Sequence, residues 1–279
     1  MKKRKEKIAI IMSGGGMMCS YGVGAILALV EKYCITQPDI VITGSGGAGT
    51  MSYYVAEQYS SIRNIWSNLL STKKFIDFKR YYRVIDIDYL IDDVFKVQDP
   101  LNENKIKKSK IDYFIAVTNY DNGKVEYFSS RNKESIFETM RATMALPMVY
   151  RKKIRINNNN YCDSYNSSAV ELNVLKAIEL GAEKIIVINN DISLFINNLA
   201  INLWVLCRNK EFRKNYHRNR EFRRTFSIPK NTKIISLHPT RNLKVSTLNN
   251  SQKALKETIK QGYDETVENH ELKIFLKGK

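Results

Sequence analysis

Two glycine-rich turns and one serine carry the chemistry legible in this chain. Thr43-Gly44-Ser45-Gly46-Gly47-Ala48-Gly49 sets a single serine among small residues directly after an apolar run. A nucleophile elbow has this pattern: the flanking residues are small so that strand and helix approach, and the serine projects outward. The N-terminus of the following helix then favours the negative charge that develops during attack. An earlier cluster, Ser13-Gly14-Gly15-Gly16-Met17-Met18, also follows an apolar run. There the backbone amides of Gly14, Gly15 and Gly16 can converge on an anion or an oxyanion. A dinucleotide fingerprint needs a third glycine where Cys19 stands, and a P-loop needs Gly-Lys-Ser/Thr, which is lacking. Each turn alone reads as a tight connection; together they read as a site.

A serine nucleophile needs a base. The three histidines are His217 in a basic run, His238 after an apolar strand, and His270 near the end. Ser45, Asp163 and His238 follow the chain order of an α/β-hydrolase triad. Alternatively, Asp163 is itself the base, since a partly desolvated carboxylate against a serine hydroxyl can take the proton without imidazole.

The elements that must position these residues alternate. Lys7–Met12 predicts a strand, Tyr21–Tyr33 a helix, Ile40–Ile42 a strand and Ala48–Gln58 a helix. This is a βαβ unit with a right-handed crossover and a parallel sheet. Residues 61–110 read as a helical insertion over the sheet, with helical stretches at Ile62–Leu70 and Tyr89–Val97. Ile111–Thr118 and Val125–Ser129 predict strands joined at Asp121-Asn122-Gly123, a hairpin signal. Ser135–Met144 predicts a helix, Ile154–Cys162 a second hairpin, Val170–Leu180 a helix capped by Gly181, and Lys184–Ile188 a buried strand. Asn197–Arg224 reads as one long helix with an apolar start and a basic end, followed by a strand at Lys233–Leu237 and a helix at Ser251–Asn269. The expectation is one α/β domain over residues 6–279. Its motifs lie in 6–190, and the basic helix, last strand and C-terminal helix lie in 191–279.

Composition bounds the partners. The chain has 279 residues, with 45 Lys+Arg against 28 Asp+Glu, a net charge of +17, an isoelectric point near 9.6 and a mean hydropathy of −0.36. Such an excess favours polyanionic partners and says nothing of fold. Arg208 to Arg224 interleaves basic residues with Phe212, Tyr216 and Phe222, a pattern suited to an anionic membrane surface. The same composition serves RNA, but no nucleic-acid motif accompanies it. Cys19, Cys34, Cys162 and Cys207 are scattered without a C-x-x-C pair, which predicts neither a zinc site nor a disulfide framework and fits a reducing compartment. The basic start and apolar Ile8–Val30 imitate a signal peptide. The glycines at 14–16 interrupt that run, no small-residue cleavage site follows, and no stretch reaches membrane-spanning length. The expected location is cytoplasmic, peripheral to a membrane.

These blocks resemble the patatin-like phospholipases. Ser13–Gly22 resembles the family's G-G-G-x-R/K-G segment and Thr43–Ala48 its G-x-S-x-G elbow. Arg141-Ala142-Thr143-Met144-Ala145-Leu146-Pro147, followed by Tyr161-Cys162-Asp163, resembles its A-S-x-A-x-P stretch and D-G-G/A motif; Glu179–Ile188 resembles the helix-to-strand segment beyond. The resemblance implies a three-layer α/β/α fold and a Ser–Asp dyad hydrolysing acyl esters of lipids, with Ser45 as nucleophile and Asp163 as base. It further implies an oxyanion hole from the amides of Gly14, Gly15 and Gly16, and no metal or cofactor. The sequence departs from the pattern at Met18 (a basic residue in the family), Cys19 (glycine), Thr43 (glycine) and Ser164-Tyr165 after the aspartate. A relative that binds lipid or an anion without turnover is the competing reading.

Overall fold

The computed structural model describes residues 6–81, 83–163, 170–190, 199–229 and 231–277. Its strands are β1 (Ile8–Met12), β2 (Ile40–Gly44), β3 (Asp112–Asn119), β4 (Val125–Ser129), β5 (Ile154–Ile156), β6 (Asn159–Cys162), β7 (Lys184–Ile188) and β8 (Lys233–Leu237). Its α-helices are α1 (Cys19–Glu31), α2 (Gly47–Val55), α3 (Tyr59–Asn64), α4 (Glu103–Lys108), α5 (Ile136–Met144), α6 (Val170–Glu179), α7 (Leu199–Leu206), α8 (Lys210–Thr225), α9 (Gln252–Glu268) and α10 (His270–Lys277).

The strands form one sheet in the order β5-β6-β3-β2-β1-β7-β8, with β4 also on β3. The central pairs are parallel: Ile11 of β1 lies between Ile42 of β2 and Val187 of β7. Strands covered on both faces have no polar side, which is why these segments read as continuous apolar runs. Alternation still divides the core. Ile10, Met12, Val41 and Ile186 face α1, α2 and α9, whereas Ala9, Ile11, Ile40 and Ile185 face Val174 and Ala177 of α6. The result is the three-layer α/β/α arrangement expected from the sequence.

Helices α1 and α9 cross with their backbones in near contact. A Cβ on Gly24 would lie 2.0 Å from the Ile259 carbonyl oxygen, and one on Gly262 would lie 2.0 Å from that of Tyr21.

The insertion between α2 and β3 is helical only in part. α3 continues into a π-helical turn, Ile65–Leu69, and a second π-helix spans Tyr89–Gln98. Between them the chain folds back on itself: Ile76 pairs antiparallel with Ile85, and Arg83 with Tyr150. This pairing was not foreseen, because Lys73–Arg83 is too charged to show strand alternation.

The expected helix Asn197–Arg224 is two helices where it is described; residues 197 and 198 lie outside the described residues. The break falls at Asn209, whose side-chain oxygen accepts the Phe212 amide at 2.8 Å and so caps a new helix. Phe212 and Tyr216 of α8 turn inward onto Ile201 and Val205, leaving the exposed face of α8 to its charges.

Candidate active site

β3 explains how two distant segments meet. Thr118 pairs with both Val125 of β4 and Cys162 of β6, so those strands lie on opposite edges of β3. β2 occupies the β6 edge up to Gly44, opposite Ala116. Parallel β2 and antiparallel β6 therefore run toward each other and end almost tip to tip. The residues that follow them, Ser45 and Asp163, face one another across the gap, and the Ser45 hydroxyl donates to Asp163 Oδ2 at 2.7 Å. Both are buried, at 7% and 3% exposure.

Ser45 is the turn residue between β2 and α2, with φ +52°. A side chain in this left-handed region costs on the order of 1–3 kcal/mol and persists only where its surroundings enforce it. Two bonds do so: the Ser45 amide donates to Thr143 Oγ1 at 2.8 Å, and its carbonyl accepts from the Ala48 amide at 2.9 Å. The Thr143 hydroxyl in turn donates to the Ala116 carbonyl at 2.5 Å, which ties the turn to β3. Thr43 fits an elbow that usually carries glycine because its hydroxyl donates to the Met12 carbonyl at 3.0 Å. Gly47 makes the space: a Cβ there would lie 2.7 Å from Thr43 Oγ1.

The first glycine turn stands over the elbow. A Cβ on Gly46 would lie 3.0 Å from the Gly16 oxygen and 3.3 Å from its nitrogen. Gly15 and Gly16 have φ +140° and +59°. Thr247 holds the turn from above: its carbonyl accepts the Met17 amide at 3.1 Å, and it would lie 2.5 Å from a Cβ on Gly16. Asn190, fully buried after β7, holds it from below. Its side-chain amide donates to the Ser13 carbonyl at 2.7 Å, and its side-chain oxygen accepts the Gly22 amide, in the first turns of α1, at 2.9 Å. Among the described residues no protein group accepts the Gly15 or Gly16 amide.

Ser45, Asp163, Gly15, Gly16 and Met18 line one cavity of about 140 Å³ that opens to solvent; Gly14 is not part of its lining. Its walls are apolar and come largely from the insertion: Trp66, Phe75, Ile85, Leu90 and Phe95. Cys19 is buried behind the turn with its thiol pushed far up by burial and by the Asp163 charge, so it is a packing residue here. His238 is exposed after β8, three strands from β2 in the sheet. At about 4.8 Å per strand that separation is on the order of 14 Å, and the structure does not bring His238 to Ser45. Ser164 and Tyr165 lie outside the described residues. Among the described residues there is no group of His, Cys, Asp and Glu able to hold a metal ion.

Arg141, the first residue of the motif that ends at Pro147, anchors the insertion. Its guanidinium pairs with Asp88, with both oxygens of Asp92 at 2.9 and 3.0 Å, and with Glu138 at 3.4 Å. Burial alone would raise the Asp88 carboxyl, but the Lys152 ammonium, the Tyr150 hydroxyl and Arg141 outweigh it and hold it below the usual range.

The family model for patatin-like phospholipases matches residues 10–175, a span that contains both glycine turns, Ser45 and Asp163. The chain belongs to the patatin-like phospholipase family. A bacterial relative, described as uncharacterized protein YjjU of Escherichia coli K12, is 24% identical over 188 residues, 65% of this chain and 51% of that protein. The chain thus spans about half the length of that curated relative. The crystal structure of VipD from Legionella pneumophila superposes with a TM-score of 0.56 at 14% identity, over 98% of this chain and 67% of VipD. That likeness is one of fold. It runs past residue 175, through β7, β8 and α9.

Thr143, Asn190 and Thr247 were not assigned roles from the sequence. A polar residue just past the end of a buried parallel strand, as Asn190 is two residues beyond β7, is a readable signal, because sites in such sheets gather at carboxyl ends. Thr247 carries none, since its contribution is a backbone carbonyl.

Proposed function

We propose that this protein is a serine lipid acyl hydrolase of the phospholipase A type, working through a Ser45–Asp163 dyad. The observation that carries the reading is the 2.7 Å hydrogen bond from Ser45 to Asp163 at the floor of an apolar cavity. Ser45 Oγ attacks the ester carbonyl carbon while its proton passes to Asp163. The carbonyl oxygen, now carrying the negative charge, is received by the Gly15 and Gly16 amides. The tetrahedral intermediate collapses as the C–O bond to the alcohol breaks, and the proton on Asp163 goes to that oxygen, leaving an acyl-serine. Water then repeats the sequence, with Asp163 taking its proton, and releases the fatty acid. Each oxyanion donor in a serine hydrolase contributes about 2.7–4 kcal/mol to the transition state.

The cavity supports an acyl-chain substrate. Rings and aliphatic side chains around it offer the chain dispersion contacts and no hydrogen bonds to satisfy, worth about 0.8 kcal/mol per buried methylene. The test is fatty-acid release from mixed phospholipid vesicles by the wild type and by Ser45→Ala. Serine-dependent release is expected; release that survives the substitution overturns the assignment.

A further inference from the structure

The insertion carries an element that the catalytic reading leaves unused. Residues 75–81 and 83–86 form the arms of a short hairpin, closed by the Asp77 amide to the Val84 carbonyl at 2.9 Å and the Asp86 amide to the Phe75 carbonyl at 2.8 Å. Phe75 and Ile85, at its base, line the cavity above Ser45. Its tip does the opposite of burying apolar surface: Phe78 is 70% exposed and Tyr81 68%. The exposed Lys79 follows Phe78 directly, and the exposed Lys73 and Lys74 lead into the base of the hairpin; none of the three makes an ion pair among the described residues. Arg151 from the neighbouring segment lies 4.7 Å from the centre of the Tyr81 ring.

The tip is held in place. The Arg80 guanidinium donates to the carbonyls of Lys73, Lys74 and Phe75 at 3.0–3.2 Å and to Asp86 at 3.0 Å. One cation thus staples the hairpin and leaves the lysines free. Exposed aromatic rings are unfavourable in water and are stabilised at a lipid interface, where they enter the headgroup region while lysines on the same element meet lipid phosphates.

We propose that this hairpin docks the protein on an anionic lipid bilayer, Phe78 and Tyr81 entering the interface and Lys73, Lys74 and Lys79 pairing with headgroups. The cavity wall built by the same hairpin then faces the lipid. Helix α8, although more basic, plays the lesser part, because Phe212 and Tyr216 are turned into the protein and Glu211 and Glu221 interrupt its charge. The inference takes the nature of the surface from the lipid-hydrolase reading, so the two are tested apart.

Binding is measured with the Ser45→Ala variant of this whole chain, by co-sedimentation with vesicles of phosphatidylcholine plus phosphatidylglycerol and of phosphatidylcholine alone. The parent partitions into the anionic vesicles. Phe78→Ser/Tyr81→Ser and Lys73→Gln/Lys74→Gln/Lys79→Gln each lower that partition about tenfold or more, as the loss of two interfacial rings or three surface cations requires. Phe78→Trp keeps it, and Lys214→Gln/Arg218→Gln/Arg224→Gln changes it less than about threefold. Placed in the Ser45 protein, the hairpin substitutions leave hydrolysis of a soluble short-chain ester unchanged while vesicle hydrolysis falls. The proposal is overturned if the parent ignores anionic vesicles, if the hairpin variants bind as it does, or if the α8 variant loses as much as they do.

Discussion

At the scale of single residues the site rests on a serine held in an unfavourable conformation by a threonine. The Thr143 hydroxyl accepts a hydrogen bond from the Ser45 amide and donates one to the Ala116 carbonyl, so its removal orphans a buried N–H, at about 1–3 kcal/mol. Thr143→Val is expected to lower kcat for ester hydrolysis by about tenfold or more with little change in KM, and Thr143→Ser to restore it. Equal kcat in Thr143→Val would show that the turn holds itself. Ser45 was legible because an elbow demands small neighbours, and Asp163 because a nucleophile demands a base. Thr143 belongs to a legible motif but its supporting role is not legible, because nothing local marks a hydroxyl that acts on a turn 98 residues away.

At the scale of elements, most boundaries follow from apolar runs and their punctuation. β4, β7 and β8 coincide with the segments expected, and Asn157 and Asn158 make the β5–β6 turn with positive φ, as two-residue hairpin turns require. The misses share a cause: they depend on partners distant in sequence. Gly24 and Gly262 look like poor helix residues until α1 and α9 are seen crossing there. Gly262→Ala would press a methyl group into the Tyr21 backbone, which cannot rotate away. Overpacking of this kind costs about 1–3 kcal/mol or more, and a lowered thermal midpoint in calorimetry checks it; an unchanged midpoint would mean that the helices can separate freely. The anchoring of the insertion has a pH signature. Because the Asp88 carboxyl lies below its ordinary value of 3.8 when folded, it stabilises the protein above that value and loses its contribution as pH falls through the lowered one. The thermal midpoint of the wild type is therefore expected to fall more steeply below about pH 4 than that of Asp88→Asn. Parallel curves would count against the anchor.

At the scale of the whole molecule, one end of the sheet gathers every residue of the proposed chemistry. β1 and β2 deliver the two glycine turns, β6 delivers Asp163, β7 delivers Asn190, and the insertion roofs the result with apolar side chains. The net charge of +17 was legible from composition, whereas its division between an aromatic-tipped hairpin and a helix with inward-facing rings required the fold. No helix among the described residues is long and apolar enough to cross a membrane. The central claim is that Ser45 is a nucleophile activated by Asp163. Its most direct test is reaction of the folded protein with a fluorophosphonate, followed by mass mapping of the adduct. The account predicts one phosphonylated residue, Ser45, with no adduct in Ser45→Ala and labelling at least about tenfold slower in Asp163→Asn, in keeping with the contribution of a positioned general base. An adduct on another residue, or a folded wild type that takes up no label, would contradict it.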